Sequence, residues 1–287
     1  MDLVWAAILG VVQGVAEFLP ISSTAHLKLV PWVFGVQGLP FLANTDMATA
    51  FDIALHAGSA FAILIALWVD WRLLVGGAIR RERPALRFLG FLLLTSIPGA
   101  LIGVLFDSQI EVFSSPERVI NGVAMPSADT FHWAPLLVGA VLIGFGILLW
   151  AVDHYTTRKQ PLEKMNWLRA LLIGLAQAVA LIPGVSRSGA TMTAGRATGL
   201  SREAVAKYSF MAALPIIAGA AVFGLRKVPL ATLLSPVWVV GFVAAFVSSA
   251  LLMRWMLSYV RNHSFSAFMW YRVALGVGVI ALFLIRG

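Results

Sequence analysis

Long apolar stretches constrain the fold of this chain more than any other feature of its sequence. A helix needs about 20 mostly apolar residues to cross the hydrocarbon core of a bilayer. Six stretches reach that length: 51–69, 88–106, 134–152, 205–225, 237–257 and 267–285. Hydrophobic residues make up 60% of the chain and charged residues 12%, against about 25% charged in an ordinary soluble domain. The sequence therefore predicts an all-α polytopic membrane protein.

The net charge of +8 has two interpretations. A basic chain can bind nucleic acid, but in a membrane protein Lys and Arg collect in cytoplasmic loops and at lipid headgroups. Because so much of the chain is apolar, we expect membrane lipid around it and no nucleic-acid partner. The chain has no cysteine, which excludes disulfides and thiolate chemistry.

Two further apolar segments are shorter and are interrupted by proline. Residues 3–19 stop at Pro20, and residues 169–182 stop at Pro183; each is followed by a cluster of hydroxyl side chains. Short apolar segments that break before polar residues are typical of re-entrant or discontinuous helices. We expect such a helix at both places.

The two broken segments also resemble each other. Residues 10–13 match residues 174–177 at an offset of 164, and each segment precedes three of the six long stretches. We therefore predict a single membrane domain of two repeats, 1–152 and 153–287. Each repeat consists of a broken re-entrant helical segment plus three transmembrane helices.

Loop charges predict how the repeats are oriented. Loops 70–87 and 153–169 are rich in Lys and Arg, whereas 107–133 carries only Arg118. By the positive-inside rule the two basic loops are cytoplasmic, both termini are external, and Arg272 falls on the cytoplasmic side. Since three helices per repeat is an odd number, the two repeats are inverted, and their polar clusters meet near the bilayer midplane.

The first polar cluster combines hydroxyls with a carboxylate at membrane depth. Glu17 is costly there unless it is paired or hydrated, and Gln13 lies one turn earlier on the same helical face. Polar side chains follow directly: Ser22, Ser23, Thr24 and His26. A Ser–His–Glu set can activate a nucleophile or move a proton. A carboxylate that reaches the surface and a structural histidine are the alternatives.

The second cluster has the chemistry of a phosphate site. Arg187 presents a planar fork of donors that suits phosphate oxygens, and the N–H groups of the helix that starts there can add anion binding. Hydroxyl donors surround it: Ser186, Ser188 and Thr191. A Walker loop would end in Gly-Lys-Ser/Thr, which is missing here. The alternative is a structural Arg187 paired with Glu17 or with backbone carbonyls.

Other polar residues carry weaker signals. Asp52 and His56 lie four apart on one face of a predicted span, where they either flank the site or pair with each other. A further group is expected to be solvated at a membrane face: Arg196, Arg202, Glu203 and Lys207.

The segments Glu17–His26 and Pro183–Thr191 resemble the two signature motifs of the undecaprenyl-diphosphate phosphatase family, also called bacitracin-resistance proteins. The resemblance extends over essentially the whole chain in length, segment order and both motifs. The family pattern has Glu or Gln, three residues and then Glu; the uncharged Gln13 can only coordinate weakly or donate and accept hydrogen bonds. Ala25 stands where glycine is usual.

The resemblance implies an enzyme of the bacterial inner membrane. It would hydrolyse undecaprenyl (C55 polyprenyl) diphosphate to undecaprenyl phosphate and inorganic phosphate, recycle the carrier for peptidoglycan synthesis and confer bacitracin resistance. It implies a divalent cation, Mg²⁺ or alternatively Ca²⁺, at Glu17 and Gln13. It also implies Ser23 as nucleophile with His26 as acid/base partner, Glu17 as metal ligand or base, and Arg187 as phosphate clamp; the sequence leaves open which of Ser23 and His26 attacks phosphorus. The other phosphate-binding residues would be Ser22, Thr24, Ser186, Ser188 and Thr191.

Two other functions compete with this prediction. Inverted repeats with broken helices are also a transporter architecture, so a secondary transporter or flippase for a phosphorylated lipid is the main alternative. A channel is disfavoured because no long stretch carries a repeated polar stripe. The sequence leaves the oligomeric state open, a homodimer included.

Overall fold

The computed structural model describes residues 1–36, 38–42, 45–105, 118–120, 123–125 and 134–286, and most of them are helical. The helices are α1 Asp2–Phe18, α2 Ser23–Phe34, α3 Thr45–Ala66, α4 Trp68–Ile79, α5 Arg83–Leu105, α6 Ala134–Tyr155, α7 Trp167–Val179, α8 Arg187–Ala197, α9 Arg202–Leu225, α10 Leu230–Leu233, α11 Pro236–Asn262 and α12 Ser266–Arg286. Between α5 and α6, strands β1 (Arg118–Ile120) and β2 (Val123–Met125) pair antiparallel. Leu162–Lys164 forms one 3₁₀ turn.

Six helices in the described part of the chain are long and apolar enough to cross a membrane, and each overlaps one of the six predicted stretches. They are α3, α5, α6, α9, α11 and α12. Large apolar side chains cover their outer faces; Val104, Val222 and Leu251 are all exposed. Such a surface suits lipid contact and would aggregate in water. The predicted all-α polytopic membrane fold is confirmed.

The stretch 70–87, expected to be a loop, is largely helical. In α4 the buried positions Trp71, Leu74 and Gly77 recur every third residue and face the protein, while Arg72 points outward. This apolar face packs α4 against α5. The arginines marked a membrane-proximal segment, but apolar side chains at helical spacing decide its secondary structure.

Both broken segments end in a turn followed by a second helix. Ser22 is the N-cap residue of α2 and Ser186 that of α8, with φ of 76° and 74°. Residues with side chains rarely adopt this left-handed region of backbone space. Strained positions of this kind cluster at functional sites. The two matched segments therefore share an unusual backbone feature at the same place.

Glycines let each broken segment approach a long helix closely. A Cβ at Gly14 would lie 2.6 Å from Ala245 O of α11, and one at Gly174 would lie 2.8 Å from Thr95 O of α5. Next to the turn after α1, the Phe18 ring packs edge-on against Phe210 with centroids 5.1 Å apart. These contacts hold the ends of α1 and α7 inside the bundle.

The division into two repeats at residue 152 and the inverted orientation of the two repeats stay predictions.

Two of the basic residues expected at a membrane face have buried or paired positions instead. Arg196 is 1% exposed, and its Nε donates to Asp153 Oδ1 at 2.9 Å. Arg202 Nε donates to the same oxygen at 2.8 Å. The expectation of a solvated Arg196 is wrong because Asp153, 43 residues away in the chain, compensates its charge in the folded protein. The exposed pair of Glu203 with Arg261 agrees with a solvated role.

Lys207 also has an ion-pair partner. Its Nζ lies 2.6 Å from Asp70 Oδ1 of α4, with about a third of each side chain exposed. A partly exposed pair of this kind contributes roughly 0–1 kcal/mol. It links α9 to α4 without adding much stability.

The predicted membrane orientation can be tested by cysteine labelling, since the chain has no cysteine of its own. Ser115→Cys, in a segment outside the described residues, should react with an impermeant thiol reagent in intact cells. Lys159→Cys lies at an exposed position of the basic loop after α6 and should react only after permeabilisation. Labelling of Lys159→Cys but not Ser115→Cys in intact cells would contradict the predicted orientation.

Candidate active site

The two polar clusters, 170 residues apart in the chain, meet in one place. Arg187 Nη2, at the start of α8, donates to Glu17 Oε1, at the end of α1, over 2.8 Å. Ser188 Oγ donates to Leu19 O at 2.9 Å. The Glu17 side chain is 4% exposed and the Arg187 side chain 14%. The prediction that the clusters come together is confirmed, and the charge of Glu17 is paired rather than exposed.

Ser23 is bonded to the same carboxylate. Its Oγ donates to Glu17 Oε2 at 2.7 Å, and Gln13 Nε2 donates to that oxygen at 3.1 Å. All three side chains are buried. Ser23 is the first residue of α2, and the turn that follows α1 brings its hydroxyl back to the end of that helix. A serine hydroxyl held by a buried carboxylate is an arrangement that can activate the oxygen as a nucleophile.

His26 belongs to a different hydrogen-bonded group. Its Nδ1 lies 2.7 Å from Ser22 O, and because a carbonyl only accepts, Nδ1 donates. In the neutral ring Nε2 therefore accepts from the Tyr271 hydroxyl, also at 2.7 Å. The two rings stack with centroids 5.7 Å apart. The described hydrogen bonds thus join Ser23 to Glu17, and they do not form the Ser–His–Glu set that the spacing suggested.

Arg187 combines both of the roles weighed from the sequence. One terminal nitrogen is bonded to Glu17, and Nη1 donates to Ser209 O of α9 at 2.8 Å. These bonds use two of the five N–H donors of the guanidinium. The pairing alternative is therefore observed, and the unused donors of this partly exposed group are available to an anion.

The hydroxyls predicted to bind phosphate differ in their surroundings. Ser186 Oγ caps α8 by accepting from Gly189 N at 3.1 Å, and Thr191 Oγ1 lies 2.7 Å from Ser209 Oγ. Both are buried, whereas Thr24 is exposed and its Oγ1 lies 3.3 Å from Ser22 Oγ. The cluster is therefore accessible on its Thr24 side.

His56 of α3 flanks this centre. Its Nδ1 donates to Asp52 O at 2.8 Å, and its Nε2 lies 3.4 Å from Glu17 Oε2. The ring therefore contacts the main chain of Asp52 rather than its carboxylate and faces the polar cluster. Of the two alternatives for this pair, the structure supports a position beside the site.

Two residues of α12 in the centre were missed from the sequence. Tyr271 holds His26, and Arg272 is fully buried, with Nη1 donating to Pro20 O and Val185 O at 3.0 Å each. Arg272 is therefore enclosed by the bundle rather than solvated among the loop charges, and its side of the membrane stays a prediction. The only available signal was an arginine inside an apolar stretch, which loop counting assigns to the nearest surface.

The side-chain oxygen atoms of the centre are suitable ligands for a hard divalent cation. Gln13 Oε1 is buried without a hydrogen-bond partner, and the Glu17 carboxylate lies one turn away. No group of three His, Cys, Asp or Glu side chains that could hold a metal occurs among the described residues. Mg²⁺ is commonly held by one or two carboxylates together with substrate phosphates. The donor set fits such shared coordination and is too small for a site made of protein ligands alone.

Fold and site together define a multi-pass membrane protein with a buried polar centre formed by two helix–turn–helix segments. Residues 6–278 match the family model described as bacitracin resistance protein BacA, and the chain belongs to this family. The undecaprenyl-diphosphatase of Pelotomaculum thermopropionicum is 39% identical in an alignment that covers 98% of this chain and 97% of the relative. That of Moorella thermoacetica is 37% identical over the full length of both. The Polaromonas sp. protein of the same name is 39% identical, covering 97% and 94%.

Proposed function

We propose that this chain hydrolyses undecaprenyl diphosphate to undecaprenyl phosphate and inorganic phosphate in the inner membrane of a bacterium. The reaction returns the lipid carrier to wall-glycan synthesis and underlies resistance to bacitracin. Membership of the BacA family and the names of the relatives support this activity. The observation that carries it is the buried carboxylate of Glu17, which is bonded to the Ser23 hydroxyl and to the Arg187 guanidinium.

Ser23 is the proposed nucleophile because its hydroxyl is the one bonded to a carboxylate. Its Oγ forms a bond to the terminal phosphorus, the bond from that phosphorus to the bridging oxygen breaks, and polyprenyl phosphate leaves. The hydroxyl proton passes to Glu17 Oε2, 2.7 Å away. Water then hydrolyses the phosphoserine, which releases inorganic phosphate and restores the Ser23 hydroxyl.

Arg187 and the start of α8 supply the positive potential for this reaction. The guanidinium can turn its unused donors toward equatorial phosphate oxygens, where negative charge is concentrated during phosphoryl transfer. The free N–H groups in the first turn of α8 add the positive end of a helix dipole. Ser186 and Ser188 hold this turn in place.

His26 is the proposed acid/base partner, and its orientation limits what it can do. Since Nδ1 is used by Ser22 O, Nε2 is the ring atom that can take or give a proton, and the Tyr271 hydroxyl holds that atom in place. A divalent cation at Glu17 and Gln13 would neutralise phosphate charge and polarise the bridging oxygen.

An apolar groove offers a place for the lipid tail. It has a volume of about 450 Å³, lies between α3, α9, α10 and α11, and is lined by side chains that include Ala54, Phe61, Leu225, Trp238 and Phe242. Phe61 is more than half exposed, so the groove is open to the side of the bundle. Helix α3, which lines one side of the groove, also carries His56 beside the polar centre.

Phosphate release from undecaprenyl diphosphate by the purified protein in detergent micelles tests the proposal. Hydrolysis should proceed in micelles, where no compartments exist and transport cannot occur. The matched control is the same preparation of Glu203→Gln, a change in an exposed pair away from the site, which should hydrolyse as the wild type does. Binding of the lipid without phosphate release would favour the transporter or flippase instead.

Metal dependence gives a separate prediction. EDTA should abolish phosphate release, and Mg²⁺ should restore it. Gln13→Glu should lower the Mg²⁺ concentration for half-maximal activity, because a second carboxylate beside Glu17 increases attraction for the cation. The same change should lower the Tm in EDTA, since it removes the Gln13–Glu17 hydrogen bond and places like charges together. Activity in EDTA, or an unchanged Mg²⁺ requirement in Gln13→Glu, would contradict this site.

A further inference from the structure

Arg272 of α12 is bonded to both turns of the polar centre. Its Nη1 donates to Pro20 O in the first turn and to Val185 O in the second, and Nη2 donates to Gly184 O at 2.7 Å. The fourth bond runs from Nε to Leu142 O of α6 at 3.0 Å. The side chain is fully buried. One guanidinium therefore joins four backbone carbonyls from three separate parts of the chain.

The space around this side chain is kept open by glycines. A Cβ at Gly189 would lie 3.2 Å from Arg272 Nη1, and one at Gly146 would lie 3.1 Å from Arg272 Cβ. Contacts this close would require the Arg272 side chain to shift by a few tenths of an ångström. Glycines in α6 and α8 thus leave room for Arg272, which comes from α12 and lies outside both signature segments.

In the part of the chain that the structure describes, no acidic side chain forms a salt bridge with Arg272. The dipoles of the four backbone carbonyls compensate its charge instead. A buried cation without a carboxylate is costly, and a buried apolar side chain would be the cheaper way to fill the space. The cost is understandable if the charge acts on a ligand nearby.

The position of the Arg272 charge indicates that this ligand is an anion bound between the two turns. Val185 directly precedes Ser186, the cap of α8, and Pro20 lies two residues before Ser22, the cap of α2, so the guanidinium lies close to both helix N-termini. Both N-termini carry partial positive charge, and Arg187 adds a full one. With Arg272 itself, four sources of positive potential therefore lie around the site in which Ser23 and Arg187 are both bonded to Glu17.

We propose that Arg272 is a positioning residue that locks the two turns together and adds a positive charge to the anion site. The inference rests on the proposed function in that the anion is the diphosphate of a lipid. Because Coulomb energy scales with ligand charge, Arg272 favours the diphosphate substrate over the less charged monophosphate product.

The experiment compares two inorganic probes, pyrophosphate and phosphate, by the concentration of each that gives half-maximal thermal protection of the full-length protein in detergent. Arg272→Gln removes the charge and keeps hydrogen-bonding atoms. It should raise the half-saturating pyrophosphate concentration by about tenfold, and the phosphate concentration by less. Arg272→Lys keeps the charge and loses the fork, so its pyrophosphate value should stay near wild type while kcat on the lipid falls.

The matched control is Arg196→Lys, a buried arginine at the opposite end of α8 that is paired with Asp153. It should lower the Tm and leave both half-saturating concentrations unchanged. Equal pyrophosphate protection of Arg272→Gln and wild type would overturn the proposal, as would equal losses for the two anions. If Arg272→Gln does not fold, the test rests on Arg272→Lys. A clearly raised half-saturating pyrophosphate concentration in that variant would then overturn the proposal. A wild type that shows protection but no lipid hydrolysis would contradict the proposed function instead, because protection needs no turnover.

Discussion

Arg187→Ala is expected to lower kcat/KM for undecaprenyl diphosphate by about 10²–10⁴-fold. The Arg187 side chain is 14% exposed and bonded to Glu17 and Ser209 O, and its remaining N–H donors are the ones proposed to bind the phosphate. In a site partly removed from water a charge-assisted bond is stronger than a neutral one, and deleting one partner leaves the other unpaired. Removal of the Arg187 guanidinium leaves both Glu17 and the substrate phosphate without this hydrogen-bond and charge partner.

Arg187→Lys should recover only part of this loss, because it keeps the charge without the planar fork that reaches two partners at once. Arg202→Ala is the matched control, since Arg202 is a partly buried arginine paired with Asp153 at the other end of the bundle. It should leave kcat/KM unchanged. A purely structural Arg187 predicts a different result: a lower Tm with the activity of the folded fraction near wild type. Measuring kcat/KM and Tm on the same preparations separates the two.

Glu17→Gln should lower the rate of phosphate release by at least about 10³-fold. The substitution is nearly isosteric, but it removes the proton acceptor for Ser23, the charge that pairs with Arg187 and the carboxylate bonded to the Gln13 amide. Added Mg²⁺ should not restore activity. Because the lost side chain was buried and paired, the Tm should also be measured, and protein that remains folded should still be inactive.

Ser23→Ala separates chemistry from binding at the same carboxylate. It removes the proposed nucleophile and leaves the Glu17–Arg187 pair intact. Turnover should fall as far as in Glu17→Gln, while undecaprenyl diphosphate should still protect the protein against thermal unfolding. Ser264→Ala, in a hydroxyl pair before α12, is the control and should remain active. Substantial turnover by Ser23→Ala would remove serine from the mechanism and leave His26 as the nucleophile.

The parts of this protein that depend on local sequence could be predicted from it. Apolar length alone identified the six spans, because crossing a bilayer requires a continuous run of apolar residues whatever their neighbours are. Proline and the serines after it identified the two breaks, where α1 ends at Phe18 and α7 at Val179. The composition of the two clusters likewise predicted the residues that meet at Glu17 and Arg187, since short motifs carry their chemistry with them.

What only the tertiary structure decided is the partner of each buried polar group. Tyr271 holds His26 from 245 residues away, Arg272 bonds to Pro20 from 252 residues away, and Ser23 turns to Glu17 rather than to the histidine three positions along. A buried charge or donor must be satisfied, but any helix packed beside it can supply the partner. That choice depends on how distant helices pack, and hydropathy or motif spacing along one segment contains no information about it.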